Sequence, residues 1–139
     1  MEILRLGPGD ADSVVAAARL FDSQPKPDAT ERFLAEPNHH LLVAYEEGLP
    51  VGFVSGVETT HPDKGTEMFL YELSVDEAYR RRGIGGNLVR RLADVARSAG
   101  CYGMWVGTED TNIAALATYE GAGARRDKEL ATILSWRFD

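Results

Sequence analysis

Apolar and polar positions recur along the chain with two periods, and the changes between them predict its secondary structure. Alternating positions, or short apolar runs bounded by turn residues, predict strands at 2–6, 40–46, 51–58, 67–79, 101–108 and 129–138, with a short strand at 124–127. Apolar residues three and four positions apart predict helices within 7–22, 29–37, 84–100 and 109–123. The order β-α-α-β-β-β-α-β-α-β-β predicts a single α+β domain over 1–139, with a mixed central β-sheet flanked by helices.

Two neighbouring segments carry the clearest patterns. The strand at 67–79 has apolar residues at consecutive positions, which is typical of a central strand covered on both faces; they are Met68, Phe69, Leu70, Tyr71, Leu73 and Val75. The helix that follows carries one apolar stripe, made by Ile84, Leu88, Leu92, Val95 and Ala99, and Gly100 is placed to end it. The sequence therefore predicts that this helix packs against the centre of the sheet.

The net charge of the chain narrows the classes of molecule that it is expected to bind. The formal charge of the 139 residues is −7 at neutral pH. Nucleic-acid-binding domains are usually basic, so charge disfavours a nucleic-acid partner. An acidic surface attracts cations such as polyamines, although most acidic proteins are simply soluble. No apolar run approaches the roughly 20 residues of a membrane-spanning helix, and residues 1–10 do not have the pattern of a signal peptide, so no membrane partner is expected.

Cysteine and histidine predict neither disulfide nor metal chemistry. The single cysteine, Cys101, cannot form an intramolecular disulfide, which fits a reducing compartment and a cytoplasmic location. A lone cysteine is more often a buried apolar residue than a nucleophile. His39 and His40 are adjacent and point to opposite faces of a strand, while His61 precedes a proline in a loop. None has a partner at metal-ligand spacing, so no metal is predicted.

The stretch YRRRGIGG, from Tyr79 to Gly86, joins the central strand to the amphipathic helix. A helix start leaves backbone N–H groups without partners, and glycines let that backbone approach a phosphate closely. Arginines beside it add charge suited to phosphate oxygens. The Gly-x4-Gly-Lys-Ser/Thr loop and the G-x-G-x-x-G fingerprint are both absent. Taken alone, the stretch fits a solvated basic turn as well as it fits a phosphate site.

Neighbouring motifs favour the phosphate site. RRRGIG, Arg80 to Gly85, fits the pattern Gln/Arg-x-x-Gly-x-Gly/Ala, and the chain resembles the GNAT acyltransferase superfamily over most of its length. The resemblance includes the preceding strand YELSV and an Asn-x2-Ala-x3-Tyr-x3-Gly pattern in the last helix, formed by Asn112, Ala115, Tyr119 and Gly123. Ala124 stands where an aromatic residue is usual, a departure that concerns packing more than chemistry.

The resemblance implies a GNAT acyl-CoA N-acyltransferase fold with acetyl-CoA as cosubstrate. Residues implied to bind acetyl-CoA are Leu73, Val75, Arg80, Arg81, Arg82, Gly83, Ile84, Gly85, Gly86, Asn112, Ala115 and Tyr119. Backbone N–H groups of the loop would hold the pyrophosphate, and the strand would pair with the pantetheine arm in a gap opened by a bulge. Asn112, or else Thr111, is also placed to cap the last helix.

Amine attack on a thioester requires a group that accepts a proton. Glu72 is the candidate base, because it lies between apolar neighbours on the central strand and partial burial would raise its pKa. The alternative is that Glu72 is an edge glutamate that faces solvent.

The resemblance implies that the Tyr119 hydroxyl protonates the departing thiolate; the alternative is that Tyr119 is an aromatic residue of the core. Tyr71, Glu72, Glu109 and Asp110 are candidate substrate-binding residues; the last two fit equally an acidic helix start.

Within the superfamily, YELSV followed by YRRRGIG is similar to YDLAV followed by HRRQGIA in the type I aminoglycoside 3-N-acetyltransferases, with Glu72 in place of their aspartate. This resemblance implies acetyl transfer to the 3-amino group of an aminoglycoside, and hence antibiotic resistance. Open alternatives are another amine (a protein N-terminus, a polyamine or a small metabolite), a non-catalytic CoA-binding module, and an enzyme acting on aminoacyl-tRNA, which the charge disfavours. The apolar strand TILSWRF can serve a homodimer interface, or Trp136 can be a core residue.

Overall fold

A computed structural model describes residues 1–138 and contains five strands and four α-helices in that range. The strands are β1 (Glu2–Leu6), β2 (His39–Glu46), β3 (Leu49–His61), β4 (Gly65–Val75) and β5 (Met104–Trp105). The helices are α1 (Ala11–Ala16), α2 (Pro27–Ala35), α3 (Ile84–Ser98) and α4 (Ile113–Gly121). Short 3-10 turns follow α1, at Ala18–Leu20, and β4, at Glu77–Tyr79.

The strands form one mixed sheet, as the sequence predicts, and their order in it is β1-β2-β3-β4-β5. Within β1 to β4, neighbouring strands are antiparallel. Strand β5 follows the α3 crossover and runs parallel to β4. Neighbouring strands related by α3 have to be parallel because the helix carries the chain back to the starting end of the sheet. The α3 crossover therefore brings its own first turn beside the end of β4.

Helices cover both faces of the sheet, and each face has its own apolar core. On one face α3 packs with Leu88 and Leu92 fully buried against β2, β3 and β4. On the other face α1 and α2 pack over Phe53 and Val43. The centre of the sheet is therefore buried on both sides, which explains the consecutive apolar residues of β4.

The stripe predicted for α3 is partly wrong. Ile84, Leu88 and Leu92 are buried as expected, but Val89 and Ala96 complete the buried face, while Val95 is half-buried and Ala99 is exposed beyond the helix end. A sheet is broader than a single helix, so it covers side chains on both sides of the ideal stripe. The first predicted helix is also shorter than expected and ends in a 3-10 turn.

A bulge in β4 separates this strand from β5. Ser55 of β3 pairs with Glu72 and the next residue, Gly56, pairs with Leu70, so Tyr71 is the extra residue. Parallel pairing with β5 is confined to Met68 and Phe69, on the N-terminal side of the bulge. The strand predicted at 101–108 is accordingly reduced to two residues, and from the bulge onward β4 has an open edge.

The strands predicted at 124–127 and 129–138 are wrong for the structure of this single chain. Residues 124–138 are irregular, and every one of them is exposed to solvent. A strand requires a neighbouring strand for its backbone hydrogen bonds, and pattern alone does not supply one. None of the helices among residues 1–138 is long and apolar enough to cross a bilayer.

Candidate active site

The open edge of β4 forms one wall of the site. Past the bulge, Leu73 and Val75 are half-buried and their side chains pack on the α3 core. Their strand is paired with β3 on one side, but among the described residues β5 does not continue along the other. Unpaired N–H and C=O groups on such an edge are ready to bind an extended amide-containing chain. This is the geometry expected for the pantetheine arm.

The first turn of α3 lies next to this edge. Gly83 caps the helix with a φ of 78°, and the first intrahelical hydrogen bond runs from the N–H of Asn87 to its carbonyl. The N–H groups of Ile84, Gly85 and Gly86 therefore have no acceptor within the helix. Arg81 also has a positive φ, 66°, which is strained for a residue with a side chain.

The space around position 85 favours glycine. A Cβ atom there would lie 3.3 Å from Cγ2 of Thr118, 3.6 Å from Cγ2 of Val75 and 3.8 Å from Cδ2 of Leu73. The loop, the β4 edge and α4 therefore meet at this residue. At Gly83, by contrast, a Cβ would touch nothing within 4 Å, so the positive φ is the reason for glycine there.

The three arginines have unequal roles in the loop. Nε of Arg80 donates a hydrogen bond of 3.3 Å to the carbonyl of Val75, which ties the loop to the end of β4. The guanidinium of Arg82 lies 4.9 Å from the centre of the Tyr79 ring. Arg81 is exposed. The side chains of Arg80 and Arg82 thus hold the loop in place. The backbone amides without partners lie in the first turn of α3.

Helix α4 carries the remaining residues predicted for the cofactor. The Oδ1 atom of Asn112 accepts a hydrogen bond of 3.1 Å from the N–H of Ala115, so Asn112 is the N-cap of this helix. Tyr119 is half-buried against the α3 core, and burial raises the pKa of its hydroxyl. Arg90 of α3 donates a hydrogen bond to the carbonyl of Gly121, which holds the end of α4 against α3.

These features fit an acyl-CoA cosubstrate. A pyrophosphate group needs several N–H donors without partners and a helix N-terminus, and the first turn of α3 supplies both. A pantetheine arm needs an unpaired strand edge, which β4 supplies next to Gly85. Within residues 1–138, no group of three His, Cys, Asp or Glu side chains is arranged to hold a metal ion.

A second cleft opens on the opposite face of β4. Its volume is about 490 Å³, and it is lined by Phe21, Asp22, Ser23, Tyr71 and Glu72. The bulge turns Tyr71 and Glu72 toward the α1 side of the sheet, away from the α3 core. Glu72 therefore belongs to the same strand as the cofactor edge and faces a separate space wide enough for an amine substrate.

Burial raises the pKa of Glu72, and the negative charge of Asp22 raises it further. A carboxylate with a raised pKa is a better proton acceptor near neutral pH. Directly across the strands, Ser55 is 6% exposed and its hydroxyl has no hydrogen-bond partner within the described part of the chain. Glu72 thus has a buried serine without a hydrogen-bond partner as its neighbour on β3, although Ser55 does not itself line the cleft.

Three contacts hold the Asp22 loop against β4. The hydroxyl of Ser74 donates a hydrogen bond of 2.7 Å to the carbonyl of Leu20. Arg19 is 2.7 Å from a carboxylate oxygen of Asp76, beyond the end of the strand. Phe21 stacks on Phe53 with ring centres 4.2 Å apart. Because all three anchors come immediately before Asp22 in the chain, they hold the loop where Asp22 lines the same cleft as Glu72.

The structure brings together some of the predicted substrate residues and not others. Tyr71 and Glu72 line the cleft, whereas Glu109 and Asp110 are exposed in the connection between β5 and α4 and are not among its lining residues. Asp22 was missed by sequence reasoning. It is a single aspartate in a proline-containing loop, and no spacing relates it to Glu72, 50 positions later in the chain.

Comparison with known proteins agrees with this geometry. The profile of the Acetyltransferase (GNAT) family matches residues 12–124. The N-alpha-acetyltransferase RimI of Mycobacterium tuberculosis is 38% identical over 111 residues, covering 78% of this chain and 68% of that protein. Human N-acetyltransferase 8 is 30% identical over 100 residues, covering 71% of this chain but only 44% of that protein.

A solved structure extends the comparison to the fold. An aminoglycoside acetyltransferase from an uncultured soil metagenomic sample, in complex with sisomicin, superimposes with a TM-score of 0.87 at 20% identity. The match covers 97% of this chain and 95% of that one. At such low identity the likeness concerns the fold alone, and it confirms the predicted architecture of a mixed sheet flanked by helices.

Proposed function

The chain belongs to the GNAT acetyltransferase family and uses acetyl-CoA as its cosubstrate, and on that premise we propose that its acceptor is a small polycationic amine. The specific reaction proposed is acetylation of the 3-amino group of an aminoglycoside, with Glu72 as the base and Tyr119 as the acid. The observation that carries this proposal is the pair of carboxylates, Glu72 and Asp22, in one open cleft beside the cofactor edge.

The two carboxylates suit a substrate with more than one ammonium group. Burial is the larger cause of the raised pKa of Glu72, and the negative charge of Asp22 raises it further. A cation placed between them would relieve this repulsion, whereas a neutral or anionic acceptor would not. The chain as a whole has a charge of −7, which favours the approach of a polycation at low ionic strength.

Acetyl-CoA supplies a thioester whose acetyl group is transferred to the amine. Glu72 takes the proton that the bound ammonium group must lose, so that the nitrogen lone pair is free to attack the thioester carbon. Tyr119 donates its hydroxyl proton to the sulfur as the carbon–sulfur bond breaks. The raised pKa of Tyr119 keeps this proton in place until then. The nitrogen, which becomes positively charged on attack, loses its second proton to solvent; solvent then reprotonates Tyr119 and removes the proton held by Glu72. The products are the N-acetylated amine and free CoA thiol.

A protein N-terminus is the second candidate acceptor, and the 38% identity to the N-alpha-acetyltransferase RimI favours it. The same base and acid would serve, because an N-terminal ammonium also has to lose a proton before attack. The two classes of acceptor differ in the number of ammonium groups that they carry. A peptide N-terminus presents one ammonium group to the cleft and would need Glu72 alone, whereas an aminoglycoside would engage Asp22 as well.

Release of free thiol from acetyl-CoA, followed with a thiol-reactive dye, tests the proposal. The acceptors are gentamicin and sisomicin, a polyamine, and short peptides with free N-termini, with N-acetylated peptides as matched controls. The proposal predicts turnover with the aminoglycosides, and mass and NMR analysis of the product should place the acetyl group on the 3-amino nitrogen. Turnover with free peptides and not with aminoglycosides would instead establish the second candidate.

Binding of CoA without turnover on any acceptor would indicate a non-catalytic CoA-binding module. Glu72→Gln would then bind CoA as the unmodified chain does and would change no rate. Calorimetric titration with CoA, carried out alongside the thiol assay, separates this outcome from a protein that is simply misfolded.

A further inference from the structure

The α1 side of the sheet carries three aromatic rings in mutual contact, called here the aromatic row. The ring of Phe69 stacks on that of Trp105 at a centroid distance of 4.4 Å and meets the ring of Tyr71 edge to face at 5.8 Å. Met68 and Leu70 belong to the α3 core, so alternation along the strand turns Phe69 to the opposite side. Tyr71 is 64% exposed and Trp105 50% exposed. A contiguous exposed aromatic surface of this kind indicates a binding site.

The aromatic row is continuous with the cleft that contains Glu72. Tyr71 belongs to both, because its ring contacts Phe69 and its side chain lines the cleft. Phe69 lies three residues from Glu72 on the same strand, a separation of about 10 Å at about 3.3 Å per residue. An acceptor whose reacting nitrogen is at Glu72 would therefore extend over the row with parts that take no part in the reaction.

A smaller pocket lies beyond the far end of the row. Its volume is about 210 Å³, and its lining includes Glu67, Tyr102 and Lys64. Glu67 is two residues before Phe69, so its side chain leaves the strand on the same face. Lys64 is paired with Asp63 at 2.5 Å, whereas Glu67 forms no ion pair among residues 1–138. The carboxylate that this pocket offers to a cation is therefore that of Glu67.

The two pockets and the row together form a surface that is acidic at both ends and aromatic in the middle. Glu67 and Glu72 are five residues apart, which separates the two acidic ends by about 15 Å. The faces of aromatic rings carry negative electrostatic potential, so they attract cations and also bind apolar surface. Such a surface is complementary to an elongated molecule with positive charge at both ends and apolar faces between them.

We propose that this surface is an extended acceptor site for an amine built of linked saturated rings. One ammonium group lies at Glu72, the rings cover the aromatic row, and a second ammonium group lies at Glu67. This inference rests on the proposed function and adds a distal subsite to it. A peptide N-terminus has its charge at one end only, and a linear polyamine has charges at both ends but no ring faces to cover the row.

The distal subsite contributes to specificity and not to chemistry. Its residues lie about 10 Å or more from Glu72 along the strand, so they touch no reacting atom. Binding energy of this kind is the same in the ground state and in the transition state, so its loss raises the KM of the acceptor and leaves kcat unchanged.

Two acceptors with the same reacting amino group test the proposal: 2-deoxystreptamine, a single ring, and gentamicin, in which further rings are attached to it. Trp105→Ala should raise the KM for gentamicin by about 3- to 30-fold and the KM for 2-deoxystreptamine by less than about twofold. The KM for acetyl-CoA should stay unchanged. Trp105→Phe keeps an aromatic face and should restore most of the loss. Val15→Ala, at an exposed position on α1, is the control.

Glu67→Gln tests the far end of the site. It should raise the KM for gentamicin by about twofold to fivefold, and less at high salt, because it removes one exposed charge. Glu31→Gln, at an exposed position on α2, is the matched control. Binding is also followed directly by tryptophan emission. The chain has two tryptophans, so a change on addition of gentamicin that is absent from Trp105→Phe belongs to Trp105.

Three results would overturn the distal subsite. One is a Trp105→Ala variant in which the KM values of both acceptors change equally or not at all. Another is an equal effect of that variant on gentamicin and on the linear polyamine spermine, because the rings would then contribute nothing. Continued acetylation of gentamicin in either case would leave the proposed function standing. The third is acetylation of free peptides and not of gentamicin, which overturns the proposed function and this inference with it.

Discussion

The proposed cofactor side and the proposed acceptor side of the site share strand β4 but are built in different ways. The cofactor side consists of backbone: the amides of the first turn of α3 and the open edge at Leu73 and Val75. The acceptor side consists of side chains, Glu72 and Asp22, brought together from positions far apart in the chain. A backbone site depends on local conformation and space, whereas a side-chain site depends on charge and pKa. Substitutions on the two sides should therefore change different measured quantities.

Glu72→Gln should have the largest effect. It removes the base but keeps the size of the side chain, so kcat should fall by about 10²- to 10⁴-fold, while the Kd for CoA should stay unchanged. Steady-state kinetics and calorimetric titration with CoA measure the two quantities. A fall in kcat accompanied by an equal loss of affinity for CoA would mean that Glu72 supports the cofactor side. The two sides would then not be distinct.

Glu72→Gln should also stabilise the chain at neutral pH. The folded-state pKa of Glu72 is raised, so the charged form is disfavoured by folding; its favourable contribution is present at low pH and is lost as pH rises through that pKa. Thermal unfolding of both proteins should therefore give similar Tm values under acidic conditions and a higher Tm for the glutamine variant at pH 7. A lower Tm for that variant at pH 7 would contradict the burial of this carboxylate.

Gly85→Val should have the next largest effect, on the cofactor side. A Cβ at this position would already lie 3.3 Å from Thr118, and two further methyl groups would force α4 away or block the gap. Overpacking of about 1–3 kcal/mol corresponds to a rise of roughly 5- to 100-fold in the KM for acetyl-CoA. Gly7→Ala, where a Cβ meets nothing within 4 Å, is the matched control and should leave this KM unchanged.

Tyr119→Phe should slow the reaction without stopping it. A thiolate whose conjugate acid has a pKa of ~8.5 is a fair leaving group unaided, so we expect a loss of about 10-fold in kcat, which is below the usual range of about 10²- to 10⁴-fold for general acid catalysis. The loss should be larger at high pH, where solvent supplies fewer protons. An unchanged kcat, with a lower free energy of unfolding, would assign Tyr119 to the core instead.

Asp22→Asn should act on the acceptor side only. Removal of its charge should raise the KM of a polycationic acceptor by about twofold to fivefold, less so at high salt. It should also lower the pKa of Glu72, moving the acid limb of the kcat/KM profile to lower pH. Asp28→Asn, which removes an exposed charge on α2, is the control. An acid limb that does not move would mean that the charge of Asp22 does not raise the pKa of Glu72.

Arg82→Ala should have the smallest effect. Its guanidinium stacks on Tyr79 at an exposed position, an interaction of about 0.5–1 kcal/mol, so the KM for acetyl-CoA should rise by less than about fivefold. A much larger rise would mean that this side chain holds phosphate directly, and that the cofactor side also depends on side-chain charge.

The sequence by itself determined the parts of this protein that depend on neighbours in the chain. The glycines before α3, the Asn112 cap of α4 and the apolar run of β4 can each be recognised from a few consecutive residues, because turns, caps and strand burial are local or nearly local properties. Through these patterns the family, the sheet and the cofactor side were predicted, and the family match confirms the first.

Only the tertiary structure decided where distant residues meet. The bulge at Tyr71 separates β4 from β5, and the anchors of the Asp22 loop place a second carboxylate opposite Glu72, which no spacing in the chain indicates. The predicted final strand is the clearest case. Its residues alternate as those of a strand do, but no strand edge within residues 1–138 pairs with them, so they are irregular and exposed and the prediction is wrong.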